Sequence, residues 1–349
     1  MADPTAELAA IDKEYQDHFA RRPRVTRSLG KLDELLTRLQ PLLAAGGEGG
    51  ERAAALNETW QKERTLIAEL QAGGDLARQA HLANALSNLT GRRYLRHYAG
   101  KSRRTRDVSM LREILTGLER WNRQMTAIAR QWDHPVFADA RARHAEQITV
   151  CQRELEAIPS DSAWASPSER ASAFATRANH QFRWYRIAFA NKPRDSRRIQ
   201  LLDRMVGELD EVHSGMQGLV REGYRDSSHL QNAEIVTRNL GVYRQELNQV
   251  RAAQAQNVAG LYGLLASEAN GLFDRYRKDF AGQPRNTRDP EALAELCDTL
   301  LEVGLNMEDA QRARNDRSYE NNLLVVLENL QMYENELERI VEARKPAVN

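Results

Sequence analysis

Two cysteines in 349 residues, Cys151 and Cys297, rule out a disulfide framework. Both fall at apolar positions of helical patterns, where a thiol behaves as a small buried hydrophobe. Aromatic residues make up 6% of the chain and β-branched residues are sparse, while Ala, Leu, Glu, Gln and Arg dominate, so strands are not expected. No apolar run approaches the roughly 18 to 20 residues that span a bilayer, and the start Met1-Ala2-Asp3-Pro4 lacks the basic and apolar regions of a signal peptide. The expectation is a cytoplasmic protein with no membrane span. The eight histidines form no HxxxH, HExxH or Glu-x-x-His spacing, and no P-loop, GxGxxG, GxSxG or CxxC occurs. These absences predict no catalytic residue, no metal and no cofactor, and hence no enzyme.

What the chain does have is charge, unevenly spread. Charged residues are 28% and apolar residues 41%, a balance that suits a helical protein with long solvated faces. The net charge is +1, yet residues 92–143 hold thirteen Arg/Lys against five Asp/Glu, and residues 289–349 hold six against fourteen, giving +8 and −8. Arginine outnumbers lysine 43 to 7, through a demand for planar donors or through a codon bias toward Arg and Ala.

The strongest signal is an internal repeat. Four segments align without gaps, from Tyr15 to Arg27, Tyr94 to Arg106, Tyr185 to Arg197 and Tyr276 to Arg288. Each reads Tyr-x3-aromatic-Ala-x2-Pro/Ser-Arg-x-Thr/Ser-Arg, and the starts are separated by 79, 91 and 91 residues. Beyond the motif, one apolar stripe recurs in helical spacing: Leu32, Leu35, Leu36, Leu39 and Leu42 in the first copy, and Leu111, Ile114, Leu115, Leu118 and Trp121 in the second. The third copy gives Leu202, Met205, Val206, Leu209 and Val212, and the fourth Leu293, Leu296, Cys297, Leu300 and Val303. Met125, Met216 and Met307 share a later position on the stripe and read as core filler. A further helix follows, with Ile148, Cys151, Leu155 and Ile158 matching Leu240, Tyr243, Leu247 and Val250, and Leu330, Tyr333, Leu337 and Ile340. In the first copy Trp60, Ile67 and Leu70 fit that pattern and Glu63 is the exception.

The fold predicted is all-α: four tandem three-helix units, residues 1–73, 74–160, 161–252 and 253–349, forming an elongated array, either rod or solenoid. Gly46-Gly47-Glu48-Gly49-Gly50 reads as a flexible helix-interrupting connection, Gly73-Gly74 as a break, and Pro159 to Pro167 as a linker with Ser166 an N-cap and Pro167 at the first helical position. From Asn232 to Phe280 nothing interrupts a single junction helix. The three-helix plan is similar to that of spectrin-type repeats, although the tryptophans sit at non-equivalent places and the unit is shorter.

The motif's punctuation is structural. Pro23, Pro193 and Pro284 end a helix, and Thr26, Thr105, Ser196 and Thr287 stand where an N-cap or a turn residue is wanted, with Asp289-Pro290 a competing cap signature. A turn does not require two arginines three residues apart, so Arg24, Arg27, Arg103, Arg106, Arg194, Arg197, Arg285 and Arg288 are the candidate binding residues. Internally they would stack on the repeated aromatics and pair with a carboxylate; externally they would hold phosphate or carboxylate groups of a partner. Glu334, Glu336, Glu338 and Glu342 read as a solvated face. The function expected is a helical-repeat scaffold that binds a protein partner or itself, the +8 segment meeting the −8 segment head to tail. The alternative is binding of a nucleic acid or polyphosphate through the arginine turns.

Overall fold

The computed structural model describes residues 4–19, 24–44, 47–163, 165–190, 192–256, 260–315, 317 and 319–344. Among these residues there are twelve α-helices and no strand. They are α1 (Pro4–Phe19), α2 (Leu29–Leu43), α3 (Gly47–Ala72), α4 (Gly74–His97), α5 (Val108–Ala129), α6 (Pro135–Ala163), α7 (Pro167–Ala188), α8 (Ile199–Arg221), α9 (Ser227–Gln256), α10 (Leu261–Asp279), α11 (Pro290–Arg314) and α12 (Glu320–Ala343). Short 3-10 turns at Arg24–Thr26, Arg103–Thr105, Arg194–Ser196 and Arg285–Thr287 precede α2, α5, α8 and α11.

The apolar stripe is buried as its spacing requires. Every stripe residue of the first and fourth copies is buried, and in the second and third only Leu115 and Val206 remain half-buried. Met125, Met216 and Met307 are all buried. Both cysteines are free and buried, and loss of hydration pushes the Cys151 thiol up to about 12.

Several local expectations are corrected. Helix α3 starts inside the glycine cluster, at Gly47, whose φ of 68° is the left-handed conformation that glycine accommodates. Gly49 and Gly50 lie in the first helical turn, and their cost of about 1 kcal/mol each is borne by the long helix that follows. The linker expected from Pro159 shortens, because α6 continues through Ala163; a proline in a last turn removes a single hydrogen bond. Ser166 caps α7 in a full capping box with Glu169, and Pro167 opens it. The single junction helix does not form: α9 ends at Gln256 and α10 starts at Leu261 after Gly260. The boundaries expected at 160 and 252 therefore fall inside α6 and α9. Gly73 is needed for close approach, since a Cβ there would lie 2.5 Å from the Trp132 ring.

Consecutive helices pack on one another, as in a repeat array, but the chain also folds back. Helix α4 packs on both α11 and α12, α7 on α11, and α5 on α8, so an end-to-end rod is excluded. Residues of α4, α10, α11 and α12 share one apolar core with Trp121, Met125 and Ile128 of α5 and Phe137 of α6, further residues of α5 and α6 join α7 to α9 in a second, and α1 to α3 enclose a third.

Candidate functional site

Each arginine turn closes on one glutamate of the helix two elements further on, and Arg27 lies in addition 3.9 Å from Glu328 of α12. Arg24 Nε lies 3.1 Å from Glu63 Oε2 and Arg27 bonds the same carboxylate. Arg103 grips Glu154 through Nε and Nη2 at 3.3 and 3.2 Å, joined there by Arg106. Arg194 and Arg197 reach Glu246 at 3.1 and 2.5 Å, and Arg285 and Arg288 reach Glu336 at 2.8 and 2.5 Å. Planar five-donor guanidinium groups suit this sharing, because two of them can divide one carboxylate's lone pairs.

The inner arginine of each pair also ties down the turn. Arg106 donates to the carbonyls of Tyr98 and Lys101, Arg197 to Lys192, and Arg288 to Gln283. Its own carbonyl accepts from the end of the later helix: Gln71 to Arg27 at 2.6 Å, Gln254 to Arg197 at 2.5 Å and Arg344 to Arg288 at 2.5 Å. Inner side chains are accordingly 7 to 12% exposed, and the outer ones, Arg24, Arg103, Arg194 and Arg285, 41 to 54%. The motif tyrosine stacks on the residue three before the glutamate, Tyr15 on Trp60 at 4.4 Å, Tyr185 on Tyr243 at 4.4 Å and Tyr276 on Tyr333 at 3.7 Å; in the second copy that place is held by Cys151. The first turn packs on α3 and α4, the second on α6 and α7, the third on α9 and α10, and the fourth on α12.

This geometry decides one reading of the sequence and corrects two. The hydroxyls of Thr105, Ser196 and Thr287 take the turn role, each donating to the carbonyl three residues back and closing the 3-10 turn; side-chain caps come from Ser28, Asp107 and Asp289, while Arg198 at that place in the third copy gives none. Pro23 lies outside the described residues. The first copy's last helix is out of register by three in the sequence alignment, since Glu63 is the counterpart of Glu154, Glu246 and Glu336, with Trp60 opposite Cys151, Tyr243 and Tyr333. Finally, Glu334 and Glu336 are buried ion-pair partners, while Glu338 and Glu342 are exposed as expected.

A second set of charges, not repeated, fills the interior around α11. Glu302 bonds Arg93 of α4 at 2.5 Å and Arg198, the residue before α8, at 2.9 Å. Arg198 also reaches Asp309 at 3.0 Å and Glu113 at 2.6 Å, and Arg96 joins Asp298 and Glu334 at 2.7 and 2.9 Å. Burial pushes the Glu302 carboxyl up, and the Arg93, Arg198 and Arg204 guanidinium groups overcome it and hold the group below the ordinary carboxylate range. Arg92 and Arg120 add pairs with Glu338 and Glu308. The +8 segment thus meets the −8 segment within one chain, through Arg92, Arg93, Arg96 and Arg120.

Two depressions adjoin at the end of α4 and the start of α11, sharing Arg96, Glu291 and Ala294. One is an apolar groove of about 470 Å³ between α4, α11 and α12, walled by Leu95, Leu337 and Val341 and rimmed by Glu291, Glu338 and Glu342. The other is a polar cleft of about 300 Å³ between α4, the second arginine turn, α7 and α11. Its floor holds His97, whose Nε2 lies 2.9 Å from Asp298 Oδ2, and Trp184, over which the Arg93 guanidinium stands at 5.2 Å. Sequence reasoning found neither depression, because each is assembled from helices some 200 residues apart.

No described helix is long and apolar enough to cross a membrane. No known protein family, curated protein or solved structure matches this chain.

Proposed function

We propose that the chain is a non-enzymatic interaction scaffold of four tandem three-helix units, with the second and third boundaries moved to the ends of α6 and α9. In this reading the arginine turns lock each unit, and the groove between α4, α11 and α12 receives a protein partner. The observation that carries it is that Leu95 and Val341, 59% and 45% exposed, face one groove rather than lying scattered. Isolated exposed aliphatic residues need no explanation, whereas two on a shared concave wall with a polar rim mark a contact site. A photo-crosslinking residue at position 95, compared in the source cells with one at exposed Leu230, tests this reading. A discrete adduct is expected at position 95 only, abolished by Val341→Glu; equal labelling at both positions refutes it.

Polyanion binding is the second reading, favoured by the half-exposed outer arginines Arg24, Arg103, Arg194 and Arg285. Salt-sensitive retention on heparin that disappears when these four become Ala is the expected outcome. Absence of retention at low salt removes that reading.

A further inference from the structure

We propose that the polar cleft binds a small oxyanion, a phosphoryl or carboxylate group, between Lys101, His180 and Arg183. The case begins with which lining charges are already engaged. Arg96 is held by Asp298 and Glu334, and Arg106 by Glu154 and two carbonyls. On the acidic side, Asp298 accepts from Arg96 and His97, while Asp107 accepts from Gln181 at 2.6 Å, Arg204 at 3.1 Å and the Met110 amide at 2.7 Å. Both carboxylates are therefore filled.

Three basic groups on the same cleft are not filled. Among the described residues the side chains of Lys101 and His180 make no hydrogen bond or ion pair, and that of Arg183 has only Glu295, at 3.8 Å. They converge on one cleft, His180 and Arg183 one turn apart on α7 and Lys101 just before the second arginine turn; loss of hydration lowers the His180 pKa, Asp107 opposes it, and Lys101, His97 and Arg183 each add to the lowering. Like charges gathered on a concave wall raise one another's energy, and an anion placed among them removes that cost while receiving charge-assisted hydrogen bonds. Glu291 and Glu295 stand on the α11 wall of the cleft, Glu295 3.8 Å from Arg183, and their charge favours a place for the anion nearer Lys101 and His180. The ring of Trp184 and the side chains of Ile187 and Met110 supply an apolar wall beside it, the usual lining of a small-ligand site. This inference does not depend on the groove having a partner.

The test is calorimetric titration of the full chain with inorganic phosphate and, separately, with acetate, at constant ionic strength in chloride. Saturable one-site binding of either anion is expected, weakened about tenfold or more by Lys101→Ala combined with Arg183→Ala. Both side chains are exposed, so the variant folds, and unchanged helicity and melting confirm it. His180→Gln provides a second, single-residue variant with the same expected loss. Binding of neither anion at millimolar concentration, or equal affinity in the parent and both variants, overturns the proposal.

Discussion

The four arginine clamps and the charge cluster around α11 use the same chemistry to different ends. A clamp is local: its two arginines, its glutamate and its turn carbonyl all come from one copy of the repeat, and its outer arginine stays half in water. The α11 cluster is assembled once, from α4, α5, α8, α11 and α12, and its members Arg93, Arg198, Asp298, Glu302 and Asp309 are all less than 9% exposed. Screening by solvent limits what a clamp contributes, whereas a desolvated cluster makes each partner indispensable to the others. Repetition has therefore been applied to the element that shapes the turn, and the unique element decides how the copies sit together.

The comparison is broken most directly at its buried end. Glu302→Ala leaves the Arg93 and Arg198 guanidinium groups short of a carboxylate inside the protein, and a loss of about 3–5 kcal/mol is expected in urea unfolding. A change under about 1 kcal/mol shows that the cluster is wetter than its burial indicates.

Acid separates the two regions from a third kind of buried polar group. His144 of α6 is 1% exposed, with Nε2 3.2 Å from Asn88 Oδ1, and burial followed by the charge of Arg143 lowers its pKa to about 4. Burial and the nearby Arg24 and Arg27 lower His81 to about 4 as well. For a histidine whose folded pKa lies below its ordinary 6.5, stability is fully present above pH 6.5 and falls away as pH drops toward 4. Glu208 works in the opposite sense, since burial and Asp107 raise its pKa and the folded state takes up its proton first. The ion pairs of Glu302 survive until lower pH, because its pKa is depressed. Melting temperature between pH 7 and 4 is expected to fall less steeply in His144→Gln than in the parent, by an amount equivalent to about 2–3 kcal/mol. Parallel curves discard this assignment.

Within a clamp the effects are smaller and graded. Glu246→Ala frees two guanidinium groups at once and is expected to cost about 1–3 kcal/mol. Arg197→Ala approaches that figure because the Lys192 carbonyl also loses its donor, while Arg194→Ala, at 54% exposure, stays below about 1 kcal/mol. If Arg194 matters as much as Arg197 in urea unfolding, the outer arginine has a structural role that its exposure conceals.

The helical class and the core register were legible because periodicity reports burial directly: the stripe from Leu32 to Leu42 and its three counterparts needed no structure. The clamp was half legible. Its arginines repeat at fixed spacing, but the glutamate follows Arg27 by 36 residues and Arg106 by 48, and a carboxylate on an amphipathic helix ordinarily faces water. Sliding the first copy by three residues would have lined up Glu63 with Glu154, Glu246 and Glu336 and exposed the fourth constant position. The cleft was not legible at all. Lys101, His180 and Glu295 carry no common pattern, and only the return of α11 onto α4 and α7 brings them together.

That return has a consequence for how the chain is made. In an ordinary repeat array each unit needs only its neighbours, so folding can follow synthesis from one end to the other. Here Arg93 waits for Glu302, 209 residues later. At ribosomal rates of about 5–20 residues per second, α4 spends on the order of 10–40 s with its inward arginines unmatched. The emerging chain passes through an interval in which everything before Pro290 exists without the helix that completes it.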